Sequence, residues 1–224
     1  MPHRQLGSSI LCLVLWFTQG VVMALTSDHI ALPAPAITGN HSLEALLQQR
    51  RSVREYPDVA LSLADIGQLL WAAQGITHSG GYRTAPSAGA LYPLELYVVV
   101  GHVHGLANGI YHYHPKGHYL EKTTAGDERE ALAEAALSQS SVEQAAAVIV
   151  FTAVYARTEK KYGKRAQRYV QIEVGHAAEN LFLQAESLGL ATVVVGAFDD
   201  HEIARVLRTP ADQEPVLLMP IGHK

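Results

Sequence analysis

The chain has 224 residues, 48% of them hydrophobic and 17% charged, a length and balance that suit one globular domain with a sizeable core and speak against disorder. Its 17 basic and 21 acidic residues give a net charge of −4 with histidine neutral, which excludes the basic footprint of a nucleic-acid-binding domain. Cys12 is the single cysteine, so beyond residue 24 there is no disulfide, no cysteine nucleophile and no cysteine-held metal.

Residues 1–24 read as a secretory leader: Arg4 supplies the positive n-region, Ile10 to Phe17 an apolar h-region, and Val22-Met23-Ala24 a small-residue cleavage site. The alternative is an uncleaved anchor, but the apolar run falls short of the about 20 residues that a spanning helix needs. Leu11 before Cys12 is too large for a lipoprotein cleavage motif. The expected product is exported, periplasmic or secreted, with no stable membrane span once the leader is removed. Loss of Arg4 leaves 16 basic against 21 acidic residues.

Residues 25–41, with Ala31-Leu32-Pro33-Ala34-Pro35-Ala36 at their centre, lack periodicity and read as a linker or N-terminal arm. The folded domain is expected over residues 42–224. Ser42 caps a helix running to about Arg51, and Ser62 with Asp65 forms a capping box opening a second helix that Gly75 closes. Leu96 to Gly101 is a β-branched apolar strand, and Ile110–His114 with Tyr119–Lys122 form a hairpin across Pro115-Lys116-Gly117. Asp127 to Leu137 is an alanine-rich helix, and Ala147 to Ala153 a buried strand. The basic stretch Arg157 to Arg168 is either a solvated loop with a helix start or a lid that draws in an anionic substrate. Tyr169 to Leu188 carries an apolar stripe at helical spacing, stopped by Gly189. Strands over Ala191–Val195 and Val216–Ile221, with a helix over Asp200–Leu207 between them, complete the chain. Helices and strands interleave without a βαβ rhythm, which predicts an α+β fold or a three-layer α/β/α sandwich.

Two segments carry chemistry on their own residues. Arg50-Arg51-Ser52-Val53-Arg54 gathers three guanidinium groups and a hydroxyl at a helix end, either as a phosphate cradle or as charges that neutralise the helix C-terminus. Arg83 to Pro93 is a small-residue loop that allows close approach of a flat ligand, or an ordinary Pro/Gly connection. Ser87 is not a hydrolase nucleophile, because Ala85 stands where the nucleophile elbow needs glycine. No G-x-G-x-x-G follows a predicted strand, so a Rossmann domain is excluded.

Together with Leu69–Gly75, Gly175–Leu190 and Val193–Asp199, these segments resemble the nitroreductase-like FMN enzymes, most closely the SagB-type azoline-oxidase branch, over about Ser42 to Lys224. The resemblance implies an intertwined homodimer with FMN, in which hydride or electrons pass in ping-pong fashion through flavin N5 between a reductant, for example NAD(P)H, and a small organic substrate. It implies that Arg50, Arg51 and Ser52 hold the phosphate and that Arg54 faces the N1/O2 edge. Pro86, Ser87 and Ala88 reach the flavin from the partner subunit, and the Gly196 and Ala197 amides contact N5 and O4. Lys224, with His223, stands where basic residues complete the phosphate site. No side chain is expected to act as catalytic acid or base. Gly196 departs from the acidic residue of many bacterial nitroreductases, and Ala90 and Tyr92 match the azoline-oxidase branch better than the asparagine and glutamine of nitroreductases proper.

Twelve histidines raise a metal reading, with His112 and His114 on one strand face and His118 nearby. No carboxylate stands beside them in an obvious ligand pattern, so the hairpin reads as a solvated face and no metal site is expected. Glu173 and His176 read as satisfied polar contacts at a dimer interface. Two rival readings are an exported, non-catalytic flavin- or ligand-binding module and a histidine-based metal-binding protein. The n-region also lacks the paired arginines of the twin-arginine route, so FMN would have to be acquired after translocation.

Overall fold

The computed structural model describes residue 1 and residues 29–224; the expected leader, its cleavage site and Cys12 lie outside them. The strands are β1 (His29–Ala31), β2 (Leu61–Ser62), β3 (Leu94–Val100), β4 (Val103–His104), β5 (Gly109–His114), β6 (Tyr119–Ala125), β7 (Ala147–Ala153), β8 (Leu190–Thr192) and β9 (Glu214–His223). The helices are α1 (Leu43–Gln49), α2 (Leu63–Gln74), α3 (Arg129–Ala135), α4 (Ser140–Glu143), α5 (Tyr155–Tyr162), α6 (Ala166–Ser187) and α7 (Asp200–Leu207). Seven strands form one antiparallel sheet in the order β1-β6-β5-β3-β7-β9-β8, and β2 pairs in parallel with β4 beside it.

The continuous apolar run of β7 is explained by burial on both faces. Ala147, Ile149 and Phe151 point into a core shared with Leu69, Leu70 and Ala73 of α2 and Val170, Ala177 and Leu181 of α6. Val148 and Val150 point the other way, into a core closed by Leu132 of α3 and by Ile203 and Leu207 of α7. The fold is therefore α+β with helices on both faces of a sheet, as the patterning predicts.

Capping fixes the helix starts. Ser42 Oγ accepts from Ala45 N, and the Ser62–Asp65 box closes on itself in both directions. Asp199 caps α7 by accepting from Glu202 N. Gly189, with φ of 70°, takes the left-handed turn that ends α6.

Three expectations need correction, and the arm packs on the domain: β1 adds to the sheet edge beside β6, Leu32 is buried, and Gln68 bonds both the N–H and the C=O of Ala36. Three residues are too few to show a period, and tertiary pairing holds them. The strand expected over Ala191–Val195 stops at Thr192, because Pro220, which has no N–H to donate, stands at the register position opposite Val193. Pairing resumes where Val195 and Leu218 exchange backbone bonds. The helix expected over Asp127–Leu137 is shorter at both ends, with Leu137 and Ser138 at positive φ. The basic stretch is helical: α5 and a 3-10 turn over Gly163–Arg165 lead straight into α6.

Candidate functional site

Arg50 leaves α1 with extended backbone, and the chain then runs beside β8: Ser52 pairs in parallel with Thr192, and Val53 N donates to Thr192 O at 3.0 Å. The Arg50 guanidinium lies over the Phe182 ring, 4.9 Å from its centroid, with Nε 3.9 Å from Glu179. Arg51 turns back so that Nη1 donates to the carbonyls of Gln48 and Arg50 at the end of α1. Of the two readings of the triple arginine, Arg51 fits the helix-end one. Ser52 and Arg54 are exposed.

Tyr56 ties this segment to the C-terminal strand. Its hydroxyl donates to Val53 O at 2.8 Å, and burial drives its pKa upward against the charge of Arg54. Lys224 at the end of β9 is ion-paired with Glu186 of α6, and His223 reaches Ala60 O.

Four residues beyond Thr192, the Gly196-Ala197 turn opens toward solvent. It is anchored from behind: Gln139 Nε2 donates to Ala197 O at 3.0 Å, and Asp199 N donates to Ala135 O. Among the described residues, neither the Gly196 nor the Ala197 N–H donates to a protein acceptor. A Cβ at Gly196 would meet nothing within 4 Å, so the chain's own packing does not demand glycine there.

The Pro86–Ala88 segment is built differently. Ser87 Oγ accepts from Tyr92 N, and Ser87 O accepts from Ala90 N. Ala90 and Tyr92 both have positive φ, 54° and 46°, a conformation costing about 1–3 kcal/mol each that persists only when the surroundings impose it. The surroundings do so: Arg83 packs 4.5 Å over the Tyr92 ring, Arg157 donates to Tyr92 O, and Asn180 donates to Thr84 O. Gly89 sits against α5, where an added Cβ would lie 2.9 Å from the Tyr162 hydroxyl.

Beneath this segment lies a cavity of about 290 Å3 lined by Pro86, Ser87, Ala88, Ile172, Glu173 and His176. Glu173 is only 2% exposed, and its Oε1 has no hydrogen-bond partner among the described residues. Burial raises its carboxyl to about 7, while the Ser87 hydroxyl and the Arg83 charge act in the opposite direction. Within the described residues of the single chain Glu173 Oε1 is left without a partner, at the face where the sequence suggests a dimer contact. Its position on the stripe of a long helix gives no sign of the loop that covers it.

The chain brings the Arg50–Arg54 and Gly196–Ala197 groups together along one sheet edge and seats Pro86–Ala88 against the first half of α6. A larger cavity of about 610 Å3 lies between the arm, α2 and α6. Among the described residues it is lined by none of these groups and by no lysine or arginine.

The model of the nitroreductase family matches residues 47–223. A protein of Methanocaldococcus jannaschii, provisionally named a nitroreductase, is 47% identical over 182 residues, covering 81% of this chain and 91% of that one. The trifolitoxin-processing protein TfxB of Rhizobium leguminosarum bv. trifolii is 34% identical over 113 residues, 48% of this chain and 30% of its own, and fits the SagB-type branch. A crystal structure from Ralstonia eutropha, also provisionally named a nitroreductase, superposes with a TM-score of 0.77 at 33% identity, covering 88% of this chain and 90% of that one.

Proposed function

The chain belongs to the nitroreductase family and is an oxidoreductase of the flavin type; from that premise we propose that its cofactor is FMN and its activity that of a SagB-type dehydrogenase or nitroreductase. The electron donor in this reading is a reductant such as NAD(P)H, and the acceptor a small organic molecule. The observation that carries the proposal is the pair of unspent N–H groups at Gly196 and Ala197, exposed four residues beyond the Thr192 with which Ser52 is paired.

When bound, the cofactor supplies two-electron chemistry that no side chain of this protein can perform. The protein's part is to bind, orient and stabilise charge. Arg50 and Ser52 hold the phosphate through charge-assisted hydrogen bonds, with Lys224 adding positive charge at the same edge and Arg51 securing the helix end behind them. Arg54 would supply fixed positive charge to the reduced cofactor, and the Gly196 and Ala197 amides would donate hydrogen bonds that orient it. No side chain is assigned as catalytic acid or base.

Pro86, Ser87 and Ala88 are assigned to the site of a second copy. Their seat over Ile172, Glu173 and His176 in the first half of α6 supports this, as do the exposed apolar side chains of Ile172 on α6 and of Leu43 and Leu47 on α1. The domain is assigned to residues 42–224 with the preceding arm packed on it, and residues 1–24 to an export leader, placing the product in the periplasm or outside the cell.

The test is a visible absorption spectrum of the protein mixed with FMN and then desalted. A retained flavin band that bleaches under anaerobic reductant is expected. A colourless protein that does not retain added FMN overturns the assignment.

A further inference from the structure

We propose that the outer face of the β5–β6 hairpin is a binding site for a borderline divalent transition metal, with zinc as the test ion and His112, His114 and Glu121 as ligands. One ring nitrogen of each histidine and one carboxylate oxygen of Glu121 lie within 4.8 Å of one another. Strand geometry puts them there. His112 and His114 are two residues apart on β5 and share a face, while Glu121 is the register partner of His112 across the hairpin. On the far side of β6, His29 is in turn the register partner of Glu121, its Nε2 3.7 Å from Oε1.

Both rings are held in place. His112 stacks on Tyr97 with centroids 4.7 Å apart, and His114 stacks on Tyr119 at 4.5 Å. His112 Nε2 lies 3.0 Å from Glu95 Oε2, and Glu95 is itself ion-paired with Arg157. A carboxylate that grips one nitrogen of a histidine fixes the ring and raises the basicity of the other nitrogen, the arrangement found behind metal-ligating histidines. His114 Nε2 lies 2.8 Å from Glu121 Oε2, so an ion binding here would take the place of the proton they share.

Two imidazoles and one carboxylate form a ligand set that zinc accepts, with the remaining position left to water. Calcium and magnesium call for oxygen ligands instead. The ligand side chains are 19%, 29% and 42% exposed, open enough for entry and covered enough to be ordered. The site shares no residue with the proposed flavin site. Glu121 is the carboxylate that the sequence does not single out, because only the register of the hairpin brings it to His112.

The experiment is a calorimetric titration of Zn2+ into the whole chain, carrying no affinity tag and stripped of metal with a chelator. Saturation at one equivalent per chain is expected, with affinity falling about 10- to 100-fold in His114→Ala and in Glu121→Gln and unchanged in His104→Ala. Weak uptake without saturation, or one-equivalent binding that both variants retain, overturns the proposal. A second readout needs no variant: paramagnetic broadening by Co2+ must centre on the His112 and His114 rings in the NMR spectrum, and broadening centred on other histidines overturns it equally.

Discussion

Gly222 passes directly beneath the ring of Tyr56, so closely that a Cβ at residue 222 would lie 2.6 Å from both Cβ and Cγ of the tyrosine. The contact locks the last strand of the sheet to the segment that carries Arg50, Ser52 and Arg54. Gly222→Ala is expected to destabilise the protein by about 1–3 kcal/mol, the usual cost of overpacking, and to lower FMN affinity with it. Thermal unfolding checks the first effect. The cost should shrink in a Tyr56→Gly background, which removes both the Cβ and the Cγ that the added methyl meets.

The three arginines should respond unequally to truncation. Arg50→Ala and Arg54→Ala are each expected to weaken FMN binding roughly 10- to 100-fold, the magnitude of a lost hydrogen bond to a charged group. Arg51→Ala should leave affinity within about threefold while loosening α1, because its Nη1 is bound to α1 carbonyls. Titration of apoprotein with FMN, followed by flavin fluorescence, separates the two patterns.

Glu173 predicts a pH dependence of stability. Its folded pKa, about 7, lies above the ordinary 4.5, so between these values the native state holds the proton more tightly than the unfolded chain. The stability it contributes is complete below about 4.5 and is lost as pH rises toward about 7, on the order of 3 kcal/mol in all. Glu173→Gln keeps the neutral shape and should flatten this loss. Denaturant unfolding of both proteins at pH 5 and pH 8 should show the variant gaining on the parent only at the higher value.

Gln139 positions the Gly196-Ala197 turn from behind, bridging Ala136 O and Ala197 O with one amide nitrogen. Gln139→Ala should lower FMN affinity about fivefold, about one net hydrogen bond, with little change in thermal midpoint. An equal loss of stability would point to a general packing role instead.

Elements whose signal is local were legible in the sequence. α2 and α7 announce themselves by Ser62, Asp65 and Asp199 at their starts, and β7 by the unbroken apolar run Ala147 to Phe151. The two-residue partners β2 and β4, the arm strand β1 and the single turn of α4 were not legible, since each owes its shape to what lies beside it and none is long enough to repeat a period. The same division runs through the site. Arg50 to Arg54 and Pro86 to Ala88 stand out by composition, whereas Glu173 is singled out only by the loop that covers it, and Glu121 only by the strand opposite.

The place of β9 has a consequence for how the molecule is made. It is last among the described strands in sequence yet lies between β7 and β8, so the strand that β8 pairs with is synthesised after it. The edge that carries Gly196 and Ala197 cannot close while the ribosome still holds Glu214 to His223. The proposed capture of FMN would therefore follow the release of Glu214 to His223 from the ribosome and not precede it.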